Sequence, residues 1–160
     1  MKHAELRTKR LMLNQLKTHD LSRLVEIAGM REIADTTISV PHPFRDCDAR
    51  SWLDHYSTNA QNLGWGIFAS NKKARLIGFI ALNHIDKTHK QAELSFWIDP
   101  SESGKGYITE AAGELLQYSS TDLNLHRIEA YHMARNPGSG RVLQKLGFKR
   151  EGILKGRVLK

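Results

Sequence analysis

The stretch from Ala92 to Leu116, AELSFWIDPSESGKGYITEAAGELL, constrains the fold of this chain more than any other. Residues 92–98 alternate between two faces, which predicts a β-strand. Apolar side chains then recur at helical spacing at positions 108, 111, 112 and 115. The small polar turn of residues 101–106 joins the two elements. Because the first N–H groups of a helix lack internal partners and its dipole favours anions, the stretch predicts a phosphate-binding turn.

Composition excludes several classes of protein. The chain has 160 residues, 26% of them charged and 40% hydrophobic, which predicts one globular domain over 1–160. No apolar run approaches the roughly 20 residues of a membrane span, and the N-terminus has no signal-peptide core. We therefore expect a cytoplasmic protein without a membrane partner. The single Cys47 excludes an internal disulfide and a cysteine-based zinc site, and leaves open a nucleophile or a lone thiol.

The net charge of +7 suits an anionic partner: nucleic acid, a ribosome surface or a polyphosphate cofactor. The basic residues do not form one long run, and no zinc finger or RNP-type aromatic motif accompanies them. The sequence therefore favours a solvated basic surface over nucleic-acid binding, while a basic nucleic-acid or ribosome-binding module stays open as a rival class.

The remaining elements follow from local patterns. Before the central stretch, the sequence predicts a strand over 7–16, a helix over 21–28, a helical turn over 31–35, a proline loop over 40–44, a helix from Asp46 or Asp48 to 61, and strands over 64–69 and 75–85 joined by a turn at 71–73. After the helix that follows the glycine turn, it predicts a strand over 127–133, a helix over 140–146 and a short strand over 148–151. Ser139 caps that last helix and Gly147 closes it. A strand, a helix and a second strand imply a right-handed crossover and parallel pairing.

Several segments in a fixed order resemble one enzyme family. They are Gly104–Ala111, His126–Ala130, Asn136 with Ser139, and Gly147-Phe148 followed by Glu151-Gly152. In this set the chain resembles the GNAT superfamily of acetyl-CoA-dependent N-acetyltransferases, and more narrowly the branch of ribosomal-protein N-terminal acetyltransferases. Arg10–Leu13 and Ile77-Gly78 fit that branch, and the resemblance spans nearly the whole chain.

The resemblance implies an α/β (α+β) fold: a mixed, mostly antiparallel central sheet, flanked by helices, with a splayed pair of parallel strands. Relatives usually continue past the Glu151-Gly152 position into a hairpin and a last strand. We therefore expect the C-terminal strand to be missing or short. An exposed sheet edge would then favour a homodimer, and a weakened, CoA-binding relic stays open.

The resemblance also implies the residues that bind acetyl-CoA, the expected cosubstrate. The glycine turn would wrap the CoA pyrophosphate, the pantetheine arm would pair with backbone at the end of the central strand, and an asparagine would lie across the opening. The residues concerned are Trp97, Ile98, Asp99, Ser103, Gly104, Lys105, Gly106, Tyr107, Ile108, Asn136 and Ser139. The family usually has Gln or Arg at the position of Ser101, and its replacement leaves the backbone cradle intact. No metal is implied, since the histidines show no ligand spacing.

Catalysis needs a base for the amine and a group that stabilises the departing thiolate. Glu93 on the central strand is the candidate base, and Glu129 on the partner strand could share or replace that role. Many relatives place a tyrosine where this chain has Leu143, which cannot donate a proton. Ser139 is the substitute that we expect, although capping of a helix is its other reading.

The acceptor is an amine. By resemblance we expect a protein N-terminal α-amine, and a small amine or an aminated antibiotic is the rival. The region that would bind it includes the loop 41–45, with Phe44, Trp52 and Trp97 as candidate lining residues.

Overall fold

A six-stranded sheet forms the centre of the computed structural model, which describes residues 3–70 and 74–159; the turn predicted at 71–73 lies outside them. The strands lie in sequence order: β1 (Leu6–Arg7), β2 (Leu11–Asn14), β3 (Leu63–Ala69), β4 (Arg75–Asp86), β5 (Gln91–Ile98) and β6 (Arg127–Ala130). Neighbours pair antiparallel except β5 and β6, which pair parallel. This confirms the mixed, mostly antiparallel sheet and its parallel pair.

Helices cover both faces of the sheet. They are α1 (Leu21–Ala28), α2 (Arg31–Thr36), α3 (Asp46–Thr58), α4 (Tyr107–Thr121) and α5 (Pro137–Lys145). On one face, Leu94 of β5 is buried with Leu115 of α4. On the other, Trp97 of β5 is buried with Leu24 of α1. Because both faces are covered, β3 and most of β4 are continuously buried, and apolar runs rather than alternation mark these strands.

The N-terminal segment differs from the prediction. The single strand expected over 7–16 is a hairpin of β1 and β2. The Thr8 N–H donates to the Leu11 carbonyl at 2.9 Å, and the Thr8 hydroxyl oxygen accepts from the Leu11 N–H at 3.0 Å. This turn contains neither Gly nor Pro, so no residue typical of turns marks it in the sequence. Its consequence is that Arg10 stands at the hairpin tip.

The segment after β6 also differs. Asn136, not Ser139, caps α5, because its side-chain oxygen accepts from the Ser139 N–H at 3.2 Å; Pro137 takes the first helical position, which suits proline. The strand predicted over 148–151 is wrong. The Phe148 N–H donates to the Leu143 carbonyl at 3.0 Å and so completes the helix end. β6 stops at Ala130 rather than 133, and the described residues 131–159 contain no strand.

Candidate active site

The glycine turn has the backbone conformation that its sequence suggested. Gly104 and Gly106 have φ angles of +77° and +80°, where side chains are disfavoured. A Cβ at Gly104 would meet nothing within 4 Å, so the conformation rather than space requires glycine there. The Ser103 N–H donates to the Pro100 carbonyl at 3.2 Å, whereas the N–H groups of residues 104–108 meet no acceptor in the described part of the chain. This row of donors, which runs from the turn into the first residues of α4, fits a phosphate group.

The β1–β2 hairpin braces this turn from behind. Arg10 Nη1 donates to the Lys105 carbonyl at 3.0 Å, and Arg10 Nε donates to Glu110 at 2.7 Å. The Thr8 hydroxyl donates to the same carboxylate at 2.5 Å. In a trans peptide the carbonyl and the following N–H point in opposite directions, so the Gly106 N–H points away from Arg10. Arg10 therefore orients one donor of the row.

The brace has an electrostatic signature. Burial alone would raise the pKa of Glu110, but hydrogen bonds from Thr8 and Arg10 hold it below its usual range. Arg10 also lies 4.6 Å above the ring centroid of Tyr107. Sequence reasoning missed this role of Arg10, because its partner on α4 lies 100 residues away in the chain and no local pattern reports such a pair.

Asp99 anchors the end of β5. Its carboxylate is buried and accepts from the Ser101 N–H at 2.9 Å, from the Ser101 hydroxyl at 2.7 Å and from the Arg23 guanidinium. Burial opposes ionisation, yet these bonds lower the pKa of Asp99. Its N–H donates to the Ile77 carbonyl at 2.7 Å and its carbonyl accepts from the Glu102 N–H at 2.8 Å. Both backbone groups of this predicted cofactor residue are therefore bonded within the protein.

The parallel strands separate where the resemblance placed a cofactor gap. Pairing runs from Gln91 opposite Arg127 to Leu94 opposite Ala130, and β5 then continues to Ile98 without a partner in β6. Backbone groups at Trp97 and Ile98, both predicted to contact the cofactor, belong to this unpaired stretch. The gap runs from the middle of β5 toward the glycine turn that follows it.

Two carboxylates stand at the point where the strands separate. Glu93 of β5 and Glu129 of β6 are register partners, so both side chains lie on the same face of the sheet. Burial raises the pKa of Glu93, and the charge of Glu129 raises it further, whereas His84 and Arg157 act in the opposite direction. A half-buried carboxylate with a raised pKa has the property that a general base at neutral pH requires.

A hydrogen-bonded chain of side chains lies on the same face. Asn83 of β4 is the register partner of Glu93. The Tyr56 hydroxyl donates to Asn83 Oδ1 at 2.9 Å, and Asn83 Nδ2 donates to the Ser95 hydroxyl oxygen at 2.7 Å. Burial, reinforced by the charge of Glu93, raises the pKa of Tyr56 well above its usual range and keeps the phenol protonated. Sequence reasoning missed this chain, although the β4–β5 hairpin register could have placed Asn83 opposite Glu93.

The start of α5 holds the predicted asparagine and serine together. Asn136 Nδ2 donates to the Ser139 hydroxyl oxygen at 2.9 Å and to the Thr36 carbonyl of α2 at 3.5 Å. Because the Ser139 oxygen accepts this bond, its own proton remains available for donation. Leu143, at the tyrosine position of many relatives, is buried in the core.

The candidate acceptor aromatics form a cluster rather than an open wall. Ring centroids are 6.2 Å apart for Phe44 and Trp52, 5.4 Å for Trp52 and Phe79, and 6.0 Å for Phe79 and Trp97. Phe44 and Trp97 are buried, and Trp52 is partly buried. These aromatic rings therefore pack against one another on the same face of the sheet as Glu93.

The described residues, 3–70 and 74–159, contain no group of three His, Cys, Asp or Glu side chains arranged to hold a metal ion. Within that part of the chain, no helix is both long enough and apolar enough to cross a membrane. Cys47, the only cysteine, is exposed on α3.

Three protein relatives show where the chain belongs. It is 30% identical to the "Uncharacterized N-acetyltransferase p20" of Bacillus licheniformis over 96% of this chain and 90% of that protein. It is 43% identical to the "Probable N-acetyltransferase YjcK" of Bacillus subtilis, over 59% of this chain and 52% of YjcK. It is 35% identical to the ribosomal-protein-serine acetyltransferase of Escherichia coli, over 56% of this chain and 50% of that protein. The last two matches thus span about half of each relative.

The fold is shared with solved acetyltransferase structures. The crystal structure of spermidine N-acetyltransferase from Vibrio cholerae in complex with CoA and spermine superposes with a TM-score of 0.82 at 24% identity, covering 95% of this chain and 88% of that chain. The family model of the acetyltransferase (GNAT) domain matches residues 10–149. The chain is therefore a member of the GNAT family of N-acetyltransferases.

Proposed function

We propose that this enzyme transfers an acetyl group from acetyl-CoA directly to a protein N-terminal α-amine, with Glu93 as the base. One observation carries the proposal: Glu93 stands where β5 and β6 stop pairing, and the glycine turn follows the far end of the same strand. At about 3.3 Å per residue, the stretch from Glu93 to Ile98 spans about 17 Å. A single strand thus connects a base to a phosphate cradle along an unpaired edge.

The residues divide the work of the reaction. Acetyl-CoA supplies the acetyl group as an activated thioester. The N–H groups of residues 104–108 hold its pyrophosphate, and the unpaired edge at residues 95–98 offers backbone partners for the pantetheine amides. Glu93 takes a proton from the acceptor ammonium, which frees the nitrogen lone pair for attack. As the carbon–sulfur bond breaks, Ser139, oriented by Asn136, gives its hydroxyl proton to the departing sulfur and takes the second proton of the attacking nitrogen in exchange.

The electrostatics support an α-amine acceptor. An α-amine has a pKa of about 7.7–8.0, against about 10.4 for a lysine amine, so a carboxylate base deprotonates it with a smaller cost. A polycation would bind most tightly to a site with acidic groups alone. In this site Arg127 lies 3.5 Å from Glu129, and the positive charge of Arg157 acts on Glu93, so the site is not purely acidic. A polyamine is the second candidate, because the Glu93–Glu129 pair attracts any ammonium group.

Thiol release from acetyl-CoA tests the proposal. Each peptide contains an internal lysine and is tested with a free N-terminus and with an acetylated one. Spermidine and a panel of aminated small molecules are tested beside them. We expect release of one thiol for each acetyl group found on the peptide N-terminus by mass spectrometry. Turnover of spermidine or a small amine but of no peptide would overturn the α-amine proposal.

The CoA-binding relic makes a different prediction. It requires that acetyl-CoA raise the melting temperature, as a ligand selective for the native state does. It also requires that no acceptor release thiol. Measuring both quantities on one preparation therefore separates an enzyme from a relic. A preparation whose melting temperature does not change at saturating acetyl-CoA would contradict the cofactor assignment itself.

A further inference from the structure

The segment after α5 contacts β6 and the residue that directly follows it. Glu151 pairs with Arg127 at 2.6 Å, and Arg157 lies with its guanidinium carbon 4.8 Å from the ring centroid of Tyr131. The Tyr131 hydroxyl donates to Glu129 at 3.2 Å. The segment therefore places a second cation beside the carboxylates at which the proposed acceptor amine reacts.

The two arginines differ in what they bind. Arg127 forms ion pairs with Glu151 and with Glu129. Arg157 forms no ion pair or hydrogen bond with any described residue, and it is exposed. Stacking on Tyr131 holds one face of its planar guanidinium, while the N–H donors around the edge of that plane stay available.

We propose that Arg157 is an anion subsite of the acceptor site, so that the acceptor is a peptide N-terminus with an acidic side chain close to the reacting amine. This inference rests on the proposed function. The ammonium group is attracted by Glu93 and Glu129, and the guanidinium of Arg157 binds a carboxylate in the bidentate geometry that arginine favours. A polyamine offers only cations, so Arg157 repels it and selects against it.

The spacing fits the second residue of a peptide. The Tyr131 hydroxyl, at the edge of its ring, lies 3.2 Å from Glu129, and the Arg157 guanidinium lies 4.8 Å from the centroid of the same ring, so one aromatic ring separates the guanidinium from the Glu129 carboxylate. An aspartate at position two of the acceptor places its carboxylate within such a distance of the α-amine. The free carboxylate of a dipeptide offers the same chemistry from another source.

Two C-terminally amidated peptides that differ only by Asp or Asn at position two provide the test. kcat/KM is measured for both on the wild-type enzyme, on Arg157→Gln and on Arg150→Gln. Arg150 is an exposed arginine of the same segment without a described partner, so its substitution removes the same net charge. We expect the wild type to favour the Asp peptide by about two- to fivefold, the size of an exposed ion pair. In Arg157→Gln this preference for the Asp peptide should disappear, and in Arg150→Gln it should remain.

Other outcomes would overturn the subsite alone or the proposed function with it. A wild-type ratio of one, or a ratio that survives in Arg157→Gln, overturns the subsite and leaves the proposed function standing. An unamidated dipeptide that outcompetes the Asp peptide assigns the anion to a terminal carboxylate and overturns the side-chain assignment. Turnover of spermidine alone, or of no acceptor, overturns the proposed function and the subsite with it. An unchanged acetyl-CoA-induced rise in melting temperature verifies that Arg157→Gln is folded.

Discussion

The glycine turn and the glutamate pair lie at opposite ends of the same stretch of β5, and they are built in different ways. The turn offers backbone N–H groups from five consecutive residues, 104–108, and other segments brace it from behind through Arg10 and Asp99. The proposed acceptor end offers side chains from separate elements: Tyr56 of α3, Asn83 of β4, Glu93 of β5, Glu129 of β6 and Arg157 of the C-terminal segment. In the proposed assignment, the cofactor end is therefore specified by backbone conformation, and the acceptor end by charge.

This difference has a physical reason. A CoA pyrophosphate is the same in every turnover, and a rigid row of N–H groups recognises it without any particular side chain. The acceptor must be distinguished from other amines, which requires charges placed for one partner and against another. Substitutions that disturb conformation should therefore act on cofactor affinity, and those that change charge should act on turnover and acceptor choice.

The largest expected effect is at the acceptor end. Glu93→Gln removes the proposed base, and we expect kcat to fall by about 10²- to 10⁴-fold, the usual contribution of general base catalysis. The dissociation constant for CoA should not change, because the glycine turn lies beyond the far end of β5. Single-turnover kinetics with calorimetry measure both. Glu114→Gln on α4 is the matched control, and an unaltered kcat in Glu93→Gln would transfer the role to Glu129.

A conformational change at the other end should have the complementary effect. Gly106→Ala places a side chain at φ +80°, which costs about 1–2 kcal/mol and should weaken CoA binding about 5- to 30-fold. Gly113→Ala inside α4 is the control: its Cβ meets nothing within 4 Å, and it should stabilise the protein by about 0.5–1 kcal/mol. Equal CoA affinity in both variants would show that the turn does not bind the cofactor through its conformation.

A smaller effect is expected at the start of α5. Protonation of the departing thiolate needs less catalysis than deprotonation of the acceptor ammonium, because thiol pKa values lie near 8.5 and the thiolate is a stable leaving group. We therefore expect Ser139→Ala to lower kcat roughly three- to tenfold. Ser120→Ala, at an exposed site on α4, controls for the loss of a hydroxyl. A fall in melting temperature without a fall in kcat would leave Ser139 only its bond with Asn136.

The contrast between the two ends also explains what the sequence could predict. The alternation in β5, the glycine turn and the spacing in α4 are local patterns, and each was found within a few residues of its true bounds. The brace of Arg10 and the stack of Arg157 on Tyr131 join residues far apart in the chain, so no periodicity reports them. The cap of α5 was misassigned because both Asn136 and Ser139 can cap, and only the hydrogen bond between them decides.

The least affected quantity should be the pH dependence of kcat/KM. Burial raises the pKa of Glu93, so the ascending limb should lie above the ordinary glutamate range, with the charges of His84 and Arg157 opposing that shift. Glu129→Gln removes a like charge, so the limb should move to lower pH, whereas Arg157→Gln should move it to higher pH. Both displacements are modest, because solvent and salt screen charges at this partly open site.

The raised pKa of Glu93 also makes the stability of the folded protein depend on pH. A carboxyl whose pKa is higher in the folded than in the unfolded state contributes stability below its unfolded pKa, and that contribution is lost as pH rises through the folded pKa. Glu93 therefore costs the folded protein stability at neutral pH, and Glu93→Gln should raise the melting temperature there but not at acidic pH. Melting curves across that window check this, and a variant destabilised at neutral pH would show that Glu93 is held by an attraction stronger than its burial. The acceptor end would then resemble the braced turn, and the contrast between a charge-specified end and a conformation-specified end would no longer hold.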